Sequence, residues 1–272
     1  MRRLLARALL MPLLWSSPAI AASDGKSAPV KPVSDNHPLE QLWSGYHYAS
    51  PKARAMQDSE SDNPAMALYT KGEAMWNKVE GRAKKSCASC HGDAAKSMKG
   101  AAVRFPAYFP LTKKPLGIAG RINLCREKFM RARAFPPDSN LMLALSVYVK
   151  HQSRGQAINI TPQGPLKPFV DKGKSYFTAR RGQLDIACAQ CHDKYAGKRY
   201  RSDIISQGHA NGFPAYRMSW KKTGSLLRQV NQCLKRVRAT PLKAGSDDLV
   251  NLELYLAWRA NGLQVETPAV RD

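Results

Sequence analysis

Two stretches of the chain carry apolar residues at helical spacing between matching start and stop signals. Ser139-Asn140 opens LMLALSVYVKHQ, in which Leu141, Leu145 and Tyr148 recur before Gly155 closes the run. Ser246-Asp247-Asp248 opens LVNLELYLAWRA, which ends before Gly262. Few segments alternate apolar and polar residues convincingly, so the pattern predicts a mainly α protein. TPQGPLKP, at 161–168, reads as a linker because its prolines and polar residues interrupt both periods. Residues 22–66 show no clear period and are expected to form an extension packed on the first unit.

Laid against itself, the chain repeats. Lys71-Gly72 matches Lys172-Gly173, and Trp76 matches Phe177. After an insertion, FPAY at 105–108 matches FPAY at 213–216, Lys113-Lys114 matches Lys221-Lys222, and Asn123-Leu124-Cys125 matches Asn231-Gln232-Cys233. Leu145, Tyr148 and Gly155 then correspond to Leu252, Tyr255 and Gly262. Each copy reads as a helix, a loop with FPAY, a short helix carrying Asn-x-Cys, and a closing helix. The domains are expected at 67–160 and 161–272.

The same repeat places SCASCHGD at 86–93 over ACAQCHDK at 187–194. C-x-x-C-H is the attachment signature of c-type haem. Two thiols at this spacing add across the two vinyl groups of one porphyrin, and the adjacent imidazole reaches the iron. Cys87 and Cys90 are thus candidates to tether one haem with His91 as axial ligand. Cys188 and Cys191, with His192, would serve a second. The expected fold is two cytochrome-c-like helical domains in tandem.

The first residues fit export. Arg2, Arg3 and Arg7 precede a short apolar run from Ala8 to Trp15, and Ala19-Ile20-Ala21 supplies small residues for cleavage. The expectation is a signal peptide at 1–21 and a periplasmic product, with no later segment apolar enough to span a bilayer. The formal net charge of +23 falls to +20 without those three arginines (23 − 3 = 20). Such a charge suits an acidic protein partner or a small anion. Nucleic acid is a poor partner, since no recognition motif is present.

Cys125 and Cys233 hold the same place in each repeat, 19 residues past the proline of FPAY. No methionine recurs in this way, although Met130, Met142 and Met218 lie within reach of a haem by sequence distance. Each cysteine can be a thiolate ligand to the sixth iron position, which would lower the potential relative to His/Met ligation. The competing reading is a Cys125–Cys233 disulfide, natural to an oxidising compartment. Around Cys233, the bases Arg228, Lys235, Arg236 and Arg238 would favour the thiolate and hold a dianion if they face it, or they are a solvated helix face. His37, His47, His151 and His209 do not recur between the units; His209 lies just before the second FPAY.

Long segments resemble the SoxA family, the diheme c-type cytochrome subunits of SoxAX complexes in bacterial thiosulfate oxidation. They include WSGYHYASPKARAMQDSESDNPAM (43–66), GEAMWN (72–77), SCASCHGDAAKSMKG (86–100), RINLCRE (121–127), YVKHQSRG (148–155), ACAQCH (187–192) and CLKRVRATPL (233–242). The resemblance implies two covalently bound haem c groups with axial pairs His91/Cys125 and His192/Cys233. It implies that Cys233 is the reactive residue, often a persulfide, in an L-cysteine S-thiosulfotransferase. It also implies a SoxX-like monohaem cytochrome partner, a SoxYZ-like sulfur carrier, and thiosulfate as substrate. Members of the family place an arginine four residues before that cysteine. Here the position is Gln229, so Arg228 or Arg238 is expected to bind the substrate instead. Two other readings stay open: a diheme electron-transfer protein without chemistry of its own, and a thiosulfate dehydrogenase forming tetrathionate.

Overall fold

The computed structural model describes residues 28–272, so the predicted leader at 1–21 lies outside them. Helices and short ribbons follow the repeat closely. After α1 (Pro51–Asp58), the first module runs α2 (Met66–Asn77), α3 (Cys87–His91), α4 (Ala94–Ser97), a ribbon of β1 (Ala107–Phe109) and β2 (Lys114–Leu116), α5 (Ile118–Cys125) and α6 (Asn140–His151). The second runs α7 (Lys167–Thr178), a hairpin of β3 (Arg199–Tyr200) and β4 (Asp203–Ile204), a ribbon of β5 (Ala215–Arg217) and β6 (Lys222–Gly224), α8 (Leu226–Arg236) and α9 (Asp247–Arg259). Among the described residues no helix is long and apolar enough to cross a membrane.

The closing helices begin where their caps predict. The Ser139 side chain accepts from the Met142 amide at the start of α6, and Ser246 accepts from the Leu249 amide at the start of α9. Each closing helix crosses the opening helix of its module at a glycine. A Cβ on Gly72 would lie 2.3 Å from the Ala144 carbonyl oxygen, and one on Gly173 would lie 2.0 Å from that of Asn251. Only glycine permits such an approach, which explains why Lys-Gly recurs in the repeat. Trp76 then packs with Tyr148, and Phe177 with Tyr255, at ring separations of 6.0 and 5.4 Å.

The strands were not legible as alternation because each has only two or three residues. Both FPAY segments leave a cis proline and enter a strand. The second ribbon gains a third strand, β7 (Ala269–Arg271), which pairs in parallel with β5. The linker is also shorter than TPQGPLKP suggests, since α7 begins at Lys167.

One expectation is corrected. The extension packs chiefly on the second module, not the first. Leu42 is completely buried in the second module's core, and Trp43 N donates to Gln207 Oε1 at 2.7 Å. Asn63 Nδ2 donates to Pro268 O at 2.9 Å, and Gln57 Oε1 accepts from Val270 N at 3.0 Å. The second module is the one that offers the free edge of β7, where Val270 N donates to Gln57, and the apolar core that Leu42 enters. Burying Leu42 there is worth about 1.5–3 kcal/mol. Contact with the first module includes Arg154 Nη2 with Gln57 O and the pairs of Glu60 with His151 and Arg154.

Between the modules lies a cavity of about 370 Å³, lined by Phe105, Pro106, Phe213 and Pro214 and by Lys150 and Glu253. Lys150 Nζ donates to the Phe213 carbonyl. Burial pulls Lys150 down to about 8 against the attraction of Glu253, and pushes Glu253 up to about 7 against that of Lys150. The raised carboxyl favours folding at low pH, a contribution lost as pH rises from about 4.5 through 7. The depressed lysine favours folding above about 10.5, a contribution lost as pH falls through 8. The pair therefore stabilises least between pH 7 and 8. Denaturant titrations should show the native protein losing stability relative to Glu253→Gln as pH rises through this lower window.

Candidate functional site

Each Asn-x-Cys motif anchors its own return loop. Asn123 exchanges two hydrogen bonds with the Phe135 backbone, at 2.9 and 3.0 Å, and Asn231 does the same with Leu242, at 2.8 and 3.0 Å. These bonds hold the middle of the loop against the helix that carries the cysteine. Sequence reasoning noted the asparagines as part of the repeat but assigned them no task.

The six cysteines are all free, and they group by module. Cys125 acts electrostatically on Cys87 and Cys90 on Cys125, whereas Cys233 acts on Cys188 and Cys191. Each lone cysteine thus faces the C-x-x-C-H of its own module. This arrangement overturns the Cys125–Cys233 bridge.

The second site is the better built. His192 Nδ1 donates to Ser206 O at 2.7 Å, which leaves Nε2 for the opposite side, where Cys233 sits. This is the usual arrangement for an imidazole ligand, with one nitrogen held by a carbonyl and the other turned to the metal position, here toward Cys233. Gly208 lies against the ring: a Cβ there would come within 2.9 Å of His192 Cγ, and its φ of +76° suits glycine. Beneath this loop, Gln207 Oε1 accepts from His209 Nε2 at 3.1 Å, and Arg259 Nη2 donates to Gln207 O at 3.3 Å. His209 is therefore a buried support of the loop beneath His192.

Burial alone would push the Cys233 thiol up. Hydrogen bonds with His192 and Gln229 and the charges of His192 and Arg236 outweigh it, holding the thiol below its ordinary value. Burial likewise pulls His192 down, but Cys233 and the Ser206 carbonyl raise it overall. The first site differs. Burial pushes Cys125 up against the charge of Arg121, and His91 is exposed, 5.8 Å from the Trp76 ring.

The candidate arginines do not behave as their sequence positions suggest. Arg228 lies five residues before Cys233, about 140° round a helix from it, and its Nε donates to Asp138 Oδ2 at 2.6 Å. Arg238 lies beyond the end of α8 and reaches Gln183 Oε1 at 3.4 Å. Gln229 and Arg236, one turn to either side of Cys233, share its face. Gln229 Nε2 donates to Cys233 Sγ at 3.6 Å. Arg217, on β5, reaches the same place from another element and interacts with Cys233. Its position in the first repeat is Phe109, so repetition gave no signal for it.

The residues present fit c-type haem in each module: paired thiols, an imidazole with its far nitrogen fixed or free, and a facing sulfur. The family model described as SoxA/TsdA, cytochrome c domain matches residues 71–158 and 172–265, once per module. The L-cysteine S-thiosulfotransferase subunit SoxA of Pseudaminobacter salicylatoxidans is 41% identical over 88% of this chain and 84% of its own length.

The chain belongs to the SoxA family.

The Paracoccus pantotrophus subunit of the same name is 37% identical over 90% of this chain and 84% of its own. The crystal structure of SoxXA from P. pantotrophus superposes with a TM-score of 0.82 at 36% identity, covering 86% of this chain and 88% of that one. Tandem cytochrome c domains, mainly helical, are thus the architecture of this SoxA-family chain.

Proposed function

We propose that this chain is an L-cysteine S-thiosulfotransferase subunit that conjugates thiosulfate to a cysteine of a SoxYZ-like sulfur carrier. The single observation that carries the reading is the placement of Cys233. Its sulfur is held between His192 and Gln229 in a cationic setting, beside the C-x-x-C pair of its own module. The kinship with subunits of that name supports the same reading.

Two covalent haems are proposed, one on Cys87 and Cys90 with His91 and Cys125 as axial ligands, and one on Cys188 and Cys191 with His192 and Cys233. When bound they supply the electron-accepting chemistry, with electrons leaving to a SoxX-like monohaem cytochrome. The rest belongs to the chain. The Cys233 thiolate joins the sulfane sulfur of thiosulfate, forming a Cys233–S–S–SO₃⁻ linkage and releasing two electrons. The carrier's thiolate then attacks that sulfane sulfur, the bond to Cys233 breaks, and the Cys233 thiolate leaves. A thiolate of lowered basicity is the better leaving group in such an exchange. The predicted leader supports a periplasmic setting for this chemistry.

The test combines the chain and its partner cytochrome with thiosulfate, with and without carrier, and measures the carrier's mass. Addition of a thiosulfonate to the carrier cysteine, with no tetrathionate when carrier is omitted, is the expected result. Tetrathionate without carrier would instead make the chain a dehydrogenase, and no product in either mixture would leave only electron transfer.

A further inference from the structure

The two modules place an arginine beside the lone cysteine from opposite partners of one contact. In the first, Arg121 on α5 extends over the ring of Phe109 on β1, 4.9 Å from its centroid, and its charge acts on Cys125. The equivalent positions in the second module are Gln229 on α8 and Arg217 on β5. There the contact is Arg217 Nη1 donating to Gln229 Oε1 at 3.2 Å. The arginine has moved from helix to strand while the space it serves is retained.

We propose that Arg217 is the residue that holds the sulfonate end of thiosulfate at Cys233, with Gln229 as the bridge that aims it. This rests on the thiosulfotransferase reading above. Four observations carry it. Gln229 touches both groups, its Nε2 on Cys233 Sγ at 3.6 Å and its Oε1 on the Arg217 guanidinium. The Nε of Arg217 is buried and has no hydrogen-bond partner. A buried donor without an acceptor is costly, and the oxygens of a sulfonate are acceptors only. The strand bearing Arg217 is pinned on both sides, Arg217 pairing with Lys222 of β6 and with Arg271 of β7. Finally, the carboxylate of Asp203 is shared: it lies 3.9 Å from Arg217 Nη2 and 3.3 Å from Arg236 Nη2. Two cations against one anion leave the place positive. The Trp220 ring, 5.6 Å from the Arg217 guanidinium and 5.7 Å from that of Arg228, is flanked by both, and Arg228 is committed to Asp138.

The test uses the haem-loaded chain in complex with its partner cytochrome, with thiosulfate and carrier as substrates. Charged hydrogen bonds of this kind are worth about tenfold to a hundredfold in affinity. Arg217→Gln should raise KM for thiosulfate by about that factor with kcat nearly unchanged, and Arg217→Lys should fall between. Returning the arginine to the helix, in the double variant Arg217→Gln with Gln229→Arg, should restore most of the lost KM. A KM unmoved by Arg217→Gln, a double variant no better than the single one, or the same loss on Arg228→Gln alone would overturn the proposal. Calorimetric titration of thiosulfate into the haem-loaded chain reads binding without turnover. If the native chain binds thiosulfate, Arg217→Gln does not, and no transfer occurs, Arg217 stands and the transferase reading falls. Unchanged binding in Arg217→Gln sinks Arg217 alone.

Discussion

Cys233→Ser is expected to lower thiosulfate conjugation by about a thousandfold or more, the scale on which a covalent nucleophile is lost. Both haems should stay attached, because Cys188 and Cys191 are separate groups in the helical segment at 188–194, not on α8. A serine hydroxyl is a far weaker nucleophile than a thiol, and it forms no bond to sulfur that a second thiolate could displace. The smaller oxygen on its shorter bond also draws the acceptor back from the Gln229 and His192 donors. The visible spectrum of the second haem should therefore change while that of the first does not. Turnover on purified carrier, with haem-peptide masses on the same samples, checks both halves. Retention of a tenth of native activity would mean that Cys233 is not the reacting sulfur.

The second large effect is on stability. Arg259 is fully buried, pairs with Asp193 at 2.6 Å, and lies over the Phe177 ring at 4.5 Å. Arg259→Met keeps much of the volume but leaves the Asp193 carboxylate without its cation, next to His192. Breaking a buried pair from one side costs about 3–5 kcal/mol, a fall in Tm of about 10 °C for a chain of this size. Adding Asp193→Asn should recover most of that loss, since removing both charges is far less costly than removing one. Thermal unfolding of the haem-loaded protein decides it. The double variant melting no higher than Arg259→Met would mean that the arginine matters for packing, not for charge.

The first module has Gln152 where the second has Arg259, and its Nε2 merely donates to its own helix at Tyr148 O. The two modules thus share a frame but not its supports. The loop beneath His192 is braced by Gln207, His209 and Arg259 and by the extension through Trp43 and Gln41. Repetition within the sequence cannot reveal such supports, because they exist in one copy only.

What the sequence determined by itself are the features whose physics is local. Ser139 and Ser246 start the closing helices, Gly72 and Gly173 permit the close crossings, and each C-x-x-C-H holds its reactive groups within five residues. Duplication extended this reach to Cys125 and Cys233, since a cysteine kept in both copies at equal distance from FPAY has a task within the module. The tertiary structure alone decided three things. It sent the extension to the second module, where the free edge of β7 meets Gln57 and the core takes in Leu42. It turned Arg228 to Asp138 and put Arg238 beyond the helix end, although both lie within five residues of Cys233. And it brought Arg217 from a strand sixteen positions upstream (233 − 217 = 16) to the cysteine's side. A charge acts through space, and on a helix five residues along the chain is the far side, while a neighbouring strand stands opposite.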